Sequence, residues 1–286
     1  MQNKIKWAFF GTSELSVIVL NELKRLGMTP DLVITTEDKP KGRKMLLTPP
    51  EAKVWADSEN IKTLQLKSLK SEEGFESINS NGPFDLFIVA SYGKIIPQNI
   101  LDIPKYKTLN IHPSLLPKLR GPSPISSAIL GENETGVTIM RLDSEMDHGP
   151  IIAQEKINIE WPPYYSKLEK ISAETGARML SEIIPKWING EINETEQDHN
   201  LATICKKIQK ADGELDLSDS PEKNLRKIRA FNVWPGAYYF DTNSDKKTRI
   251  IVKSAKIEND KLILERIIPE GKKEMNYEDY LRGKRS

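Results

Sequence analysis

Thr108-Leu109-Asn110-Ile111-His112-Pro113-Ser114-Leu115-Leu116-Pro117-Lys118-Leu119-Arg120-Gly121 is the stretch on which the reading of the whole chain turns. It begins as a strand, Lys107 to Ile111, and leaves it in a loop that Pro113 and Pro117 confine to few conformations. Asn110 and His112 lie two residues apart, so their side chains leave one face of that strand. Upstream, apolar runs at Ile5 to Phe10, Asp31 to Thr35 and Phe84 to Ala90 read as strands. Glu14 to Leu26 reads as a helix with Gly27 just beyond its end. Downstream, Gly136 to Leu142 and Ile151 to Ile159 read as further strands. Strands separated by helices predict an α/β fold with a doubly wound, mostly parallel sheet. In such sheets ligands bind beyond the carboxyl ends of the strands, where the quoted loop leaves its strand.

A long helix is expected from Ser166 to Asn189, opened by a Ser166/Glu169 capping box and interrupted by Pro185. Residues 191–204 are polar and read as a linker between a domain of residues 1–190 and a smaller one of residues 205–286. Leu201 to Lys210, with the one cysteine, Cys205, reads as helix. Beyond it Ser220-Pro221 starts a short helix to about Phe231. Strands follow at Ala237 to Phe240, Thr248 to Lys256 and Lys261 to Ile268, with a tight turn at Asn259-Asp260. This is a small β module preceded by one helix.

The 286 residues suffice for one large and one small domain. Lys and Arg number 42 against 41 acidic residues, which excludes a chain basic throughout but not a local basic patch. A single thiol forms no internal disulfide and fits a reducing compartment. No apolar run approaches the ~20 residues that span a bilayer. A cytoplasmic, membrane-free monomer is expected.

Gly11 after the first strand is not followed by a G-x-G-x-x-G pattern, and there is no phosphate loop, so neither NAD nor ATP is supported. His112 is one of only three histidines, and a hydrogen-bonded structural role at a strand end is its plain alternative. Asp147, in Ser144-Glu-Met-Asp147-His148-Gly149-Pro150, lies between two strands. Taken alone the segment is a turn in which Gly149 supplies positive φ. If the strand before it lies beside the one bearing Asn110, the turn puts a carboxylate next to His112. Metal binding by His112, Asp147 and His148 is the other candidate, and no familiar ligand spacing supports it. Lys39, Lys41, Arg43 and Lys44 make a basic run in a long loop that reaches Pro50 and can meet phosphates.

These pieces together resemble the methionyl-tRNA formyltransferase family across essentially the whole chain. The matching segments include Phe10-Gly11-Thr12, the Lys39 to Pro50 loop, Ala90-Ser-Tyr92-Gly93-Lys-Ile-Ile-Pro97 and Asn110-Ile-His112-Pro-Ser114-Leu-Leu-Pro117. Met146-Asp147-His148-Gly149, Trp234-Pro-Gly-Ala-Tyr238 and Pro269-Glu-Gly-Lys-Lys-Glu-Met275 continue it. The resemblance implies a Rossmann-like formyltransferase fold with a small C-terminal open β-barrel. It implies catalytic Asn110, His112 and Asp147, and contacts from Ser114, Leu115, Leu116 and Pro117 to 10-formyltetrahydrofolate as co-substrate. It further implies initiator methionyl-tRNA as partner, met by the basic loop with Arg43 foremost. One departure is visible: between Ala255 and Glu265 this chain has one short hairpin where the family has more strand and loop.

The implied reaction is direct attack of a neutral amine on the formyl carbon, through a tetrahedral intermediate. Asn110 would donate to its oxygen, and His112, oriented by Asp147, would move the protons. No metal is needed. Formylation of a nucleotide-linked amino sugar shares these residues but has no use for a basic loop. Hydrolysis of the formyl-folate, or nucleic-acid binding on an inactive enzyme fold, are the remaining alternatives.

Overall fold

The computed structural model describes residues 5–42, 44–241 and 247–285. In chain order its elements are β1 (Trp7–Gly11), α1 (Glu14–Arg25), β2 (Leu32–Thr35), β3 (Lys39–Lys41), β4 (Leu46–Thr48), α2 (Glu51–Ser58), β5 (Thr63–Gln65), α3 (Glu72–Asn79), β6 (Leu86–Ala90) and α4 (Gln98–Leu101). They continue with β7 (Thr108–His112), α5 (Pro124–Gly131), β8 (Thr135–Arg141), β9 (Ile151–Ile157), α6 (Tyr165–Ile188), α7 (Pro221–Ala230), β10 (Ala237–Asp241), β11 (Thr248–Glu258), β12 (Lys261–Pro269), β13 (Met275–Asn276) and α8 (Tyr277–Arg285). Two compact units result. One holds residues 1–122, 135–157 and 169–204, and the other residues 123–134, 158–168 and 205–286.

The first unit is built on a seven-stranded sheet in the order β5-β2-β1-β6-β7-β8-β9. Pairings from β5 to β7 are parallel, and β8 and β9 are added antiparallel. The mostly parallel, doubly wound sheet read from the apolar runs is present. Every residue of β1, β2, β6 and β7 is buried, as strands covered on both faces must be. One core cluster joins Phe10, Ile34, Phe87 and Val89 to Ile78, Tyr92 and Ile100. On the other sheet face α6 comes so close that a Cβ at Gly176 would stand 2.4 Å from Ile111 Cγ2 and 3.3 Å from Val137 Cγ1.

The second unit carries the four-stranded antiparallel sheet β10-β11-β12-β13. Its core takes Leu225 and Ile228 of α7, Tyr239, Ile250, Val252 and Ile267 of the sheet, and Tyr280 of α8. Asn259 and Asp260, with φ of 49° and 57°, form the expected tight turn between β11 and β12.

Three local expectations change. Residues 202–209 are not helical: Ile204 bridges to Arg120 as in a parallel sheet, and short 3₁₀ turns lie on either side. Two β-branched residues, Thr203 and Ile204, suit that extended path. Cys205 is buried, and its sulfur accepts the Ser123 N–H at 3.2 Å. The Lys39 to Pro50 loop contains a hairpin of its own, β3 paired with β4. At the start of α6, Ser166 is already helical, and Asn232 engages both its N–H, at 3.4 Å, and its hydroxyl, at 3.2 Å.

The tight passage at Gly176 sets opposite effects against each other. Alanine gains roughly 1 kcal/mol of helix propensity, but overpacking a filled core costs about 1–3 kcal/mol. Ile111 Cγ2 sits next to the backbone of a central strand and cannot swing away. Gly176→Ala is therefore expected to lower the melting temperature, and Gly176→Val to lower it further. A raised melting temperature in thermal unfolding would show that α6 rides higher on the sheet than described.

Candidate active site

β7 lies between β6 and β8, with Asn110 in register with Val89 on one side and Met140 on the other. Alternation sends Ile111 to the α6 face and Asn110 and His112 to the opposite one. Asn110 is buried, and among the described residues its amide has no hydrogen-bond partner. His112, the last residue of the strand, is buried with its Nε2 3.0 Å from the Leu119 carbonyl oxygen. A carbonyl only accepts, so Nε2 carries a hydrogen. Nδ1 is thereby left, in the neutral ring, as the atom with a free lone pair. It stands 3.5 Å from Asp147 Oδ1.

Asp147 arrives on the turn between β8 and β9. β8 does lie beside β7, paired from Leu109↔Arg141 to His112↔Thr138. The other Asp147 oxygen, Oδ2, accepts the Gly121 N–H at 2.7 Å. One carboxylate thus faces the imidazole and is tied to the loop that follows β7. The positive φ expected at Gly149 belongs instead to Asp147, at 52°. Gly149 is required for space, since a Cβ there would come 2.1 Å from the Arg141 carbonyl oxygen. His148 is not turned toward His112: its Nδ1 lies 2.7 Å from Asp143 Oδ2, and its ring stacks on His199 at 4.2 Å. No group of three or more metal-ligating side chains occurs among the described residues.

Residues 114–117 are clamped from below. Thr138 Oγ1 donates to the Ser114 carbonyl at 2.6 Å and accepts from Leu116 N–H at 3.1 Å. Gln154 donates to the Leu116 carbonyl at 2.7 Å and to Thr138 Oγ1 at 2.9 Å. Ser114 and Leu116 are buried, and Leu115 and Pro117 are half-buried. Sequence reading passed over Thr138 and Gln154, although a threonine inside the apolar run Val137 to Met140 was a visible signal. It also passed over Gln197, and gave no role to Arg120 at the end of the quoted stretch; the bonds of both to this region are set out below.

Tyr92, just past β6, is buried with its hydroxyl unpartnered among the described residues, and burial pushes its phenol up to about 12. It is a packing group rather than a proton carrier near neutral pH. Lys39, Lys41 and Lys44 are exposed on or beside the β3–β4 hairpin, and Lys41 pairs with Glu51 at 2.6 Å. Arg43 lies outside the described residues. Met45, Leu46 and Leu47 follow, exposed by 68%, 63% and 70%, an apolar stretch that the emphasis on charge had hidden. No helix among the described residues is long and apolar enough to cross a membrane.

Comparison with known proteins bears on this arrangement. The formyl transferase family matches residues 4–184, and the formyl transferase C-terminal domain matches residues 207–262. The methionyl-tRNA formyltransferase of Thermotoga neapolitana is 42% identical over 233 residues, which are 81% of this chain and 74% of that protein. That of Bacillus velezensis is 35% identical over 298 residues, 96% of this chain and 94% of the relative. Among solved structures, a sugar N-formyltransferase from Shewanella superposes with a TM-score of 0.65 at 17% identity, covering 87% of this chain and 97% of its own. The methionyl-tRNA formyltransferase from Clostridium thermocellum gives 0.60 at 16%, covering 93% and 99%. These two likenesses speak to the fold alone. By the matched regions and the long, highly identical relatives, this chain belongs to the formyl transferase family.

Proposed function

We propose that this formyltransferase carries the formyl group of 10-formyltetrahydrofolate to the α-amino group of methionine on initiator methionyl-tRNA. The observation that carries the reading is the buried amide of Asn110, unpartnered among the described residues, on one strand face with an imidazole–carboxylate pair, His112 and Asp147. The kinship with methionyl-tRNA formyltransferases supports the choice of acceptor. Residues 1–190 are assigned the chemistry, and residues 205–286 a share in holding the acceptor.

An amide donor with nothing bound to it is what a carbonyl oxygen gathering negative charge requires. The folate carrier supplies a formyl group already activated on nitrogen, so the chain's own task is to align, polarise and move protons. Asn110 donates to the formyl oxygen, an interaction whose loss typically costs roughly 3–4 kcal/mol of barrier. His112, its Nε2 committed to Leu119, accepts the proton of the attacking amine at Nδ1. Asp147, its Oδ1 3.5 Å from Nδ1, stabilises the imidazolium until the proton passes to the departing folate nitrogen. Ser114, Leu115, Leu116 and Pro117 are assigned to the carrier. With two of these side chains buried, their part falls to Leu115, Pro117 and the clamped backbone. Lys39, Lys41, Arg43 and Lys44 are assigned to tRNA phosphates.

His112→Ala and Asp147→Ala are expected to lose about 10²–10⁴ in turnover while staying folded. The double variant should lose less than the sum of the two. Asn110→Asp is expected to turn over more slowly than Asn110→Ala, because it sets a negative charge where the oxyanion forms. Formylation kinetics, with circular dichroism to confirm folding, test all of these. Wild-type rates in folded His112 or Asp147 variants would remove the site.

Acceptor identity is tested by offering 10-formyltetrahydrofolate with charged initiator tRNA or with a nucleotide-linked amino sugar. Formylation of the sugar alone would overturn the tRNA reading. For the basic loop, Arg43→Ala is expected to raise KM for charged tRNA. It should also flatten the plot of log affinity against log salt by about 0.7–0.9, one phosphate contact's worth. Affinity for the folate carrier should stay unchanged, and a large loss there would move the loop to the carrier's side of the site.

A further inference from the structure

Residues 185–206 lie between the two regions that the family matches, and the polar part of this interval bonds to both site loops. Toward the turn after β8, Thr195 exchanges both backbone hydrogen bonds with Ile151, at 2.8 and 2.9 Å, and Glu194 pairs with Arg141 at 2.6 Å. Toward the loop after β7, the Thr203 carbonyl accepts the Arg120 N–H at 2.9 Å, and the Thr203 hydroxyl accepts the Leu119 N–H at 2.9 Å. Gln197 sits between these anchor points, 4% exposed.

We infer that Gln197 is a positioning residue for formyl transfer, acting through Asp147; the inference rests on the role given to Asp147 above. Gln197 Nε2 donates to the backbone carbonyl of Asp147 at 3.0 Å and to that of Gly149 at 2.7 Å. Its Oε1 accepts from Arg120 Nε at 3.1 Å and Nη2 at 2.7 Å. Guanidinium groups only donate and carbonyls only accept, so the amide has one permitted orientation and both its hydrogens are used. Arg120 is held in turn by His199 Nδ1, 2.9 Å from Nη2. The next peptide N–H along the chain, that of Gly121, binds the Asp147 carboxylate.

A ring therefore closes on one residue. It runs from the Asp147 carbonyl through Gln197 and Arg120 to Gly121 and back to the Asp147 carboxylate. Asp147 needs such a ring, because a non-glycine residue at φ 52° keeps that conformation only where its surroundings over-determine it. Releasing the carbonyl lets the backbone relax and carries the carboxylate away from His112.

Gln197→Glu isolates this action. Glutamate keeps the length and still accepts from Arg120, now with a full charge, but offers no N–H to the two carbonyls. It is expected to lower kcat by roughly 10–100-fold, with KM for the folate carrier and the acceptor changed by less than about twofold. The melting temperature should fall, since two buried carbonyls lose their donor, so kcat is compared at a temperature where circular dichroism shows both proteins folded. In an Asp147→Asn background, which keeps a side chain at ease with positive φ, the same change should cost no further turnover. Should the glutamate variant fold poorly, Gln197→Met, similar in length and without either donor, gives the same comparison. Wild-type kcat in a folded Gln197 variant beside a slow Asp147→Asn overturns this inference alone, as does a loss fully additive to that of Asp147→Asn. Wild-type kcat in Asp147→Asn overturns the role of Asp147 and this inference with it.

Discussion

One strand has to satisfy two neighbours with opposite demands. β7 is buried on both faces, so its period of two sends Ile111 against a helix and Asn110 and His112 against the other side. On the Ile111 face the packing is tight enough to require glycine at position 176. On the opposite face, beside Val89, stands the buried Asn110 amide, without a partner among the described residues. A shift of one residue in register would exchange the faces and put both polar side chains under α6. The arrangement of sheet, helix and site follows from that one register.

The antiparallel addition of β8 is what makes the site whole. A parallel neighbour would have needed a crossover before returning beside β7. By running back along β7, β8 places its following turn within reach of the strand end it has just passed. Thr138, in register with His112, holds the loop after β7 through Ser114 and Leu116 and is itself held by Gln154 of β9. Both loops of the site are thus fastened to a single strand, and their spacing is inherited from a backbone ladder rather than from mobile side chains.

Much of this was legible in the sequence. Apolar runs such as Phe84 to Ala90 marked the buried strands because a strand covered on both faces has no polar side to show. The pairing of Asp147 with His112 was legible only conditionally, since it hung on which strand β8 joined. The path through Cys205 was misread because helical spacing over so few residues does not outweigh pairing with a distant strand end at Arg120. Gln197 left no trace in the pattern: a lone glutamine in a polar stretch looks the same whether solvated or buried between two loops. The β3–β4 hairpin escaped for a related reason, as its exposed strands lack the alternation that a buried face imposes.

The second unit is assembled from three separate pieces of chain. Arg226 of α7 donates to the Ile129 and Glu132 carbonyls at the end of α5, across sequence separations of 97 and 94 residues. A ribosome makes α5 early and α7 late. While residues 135–204 are being synthesised, the apolar helix Pro124–Gly131 still lacks α7, the helix that will bond to its end. The unit therefore cannot be completed in the order in which it is translated, and α5 waits for its α7 partner until residues 221–230 have been made.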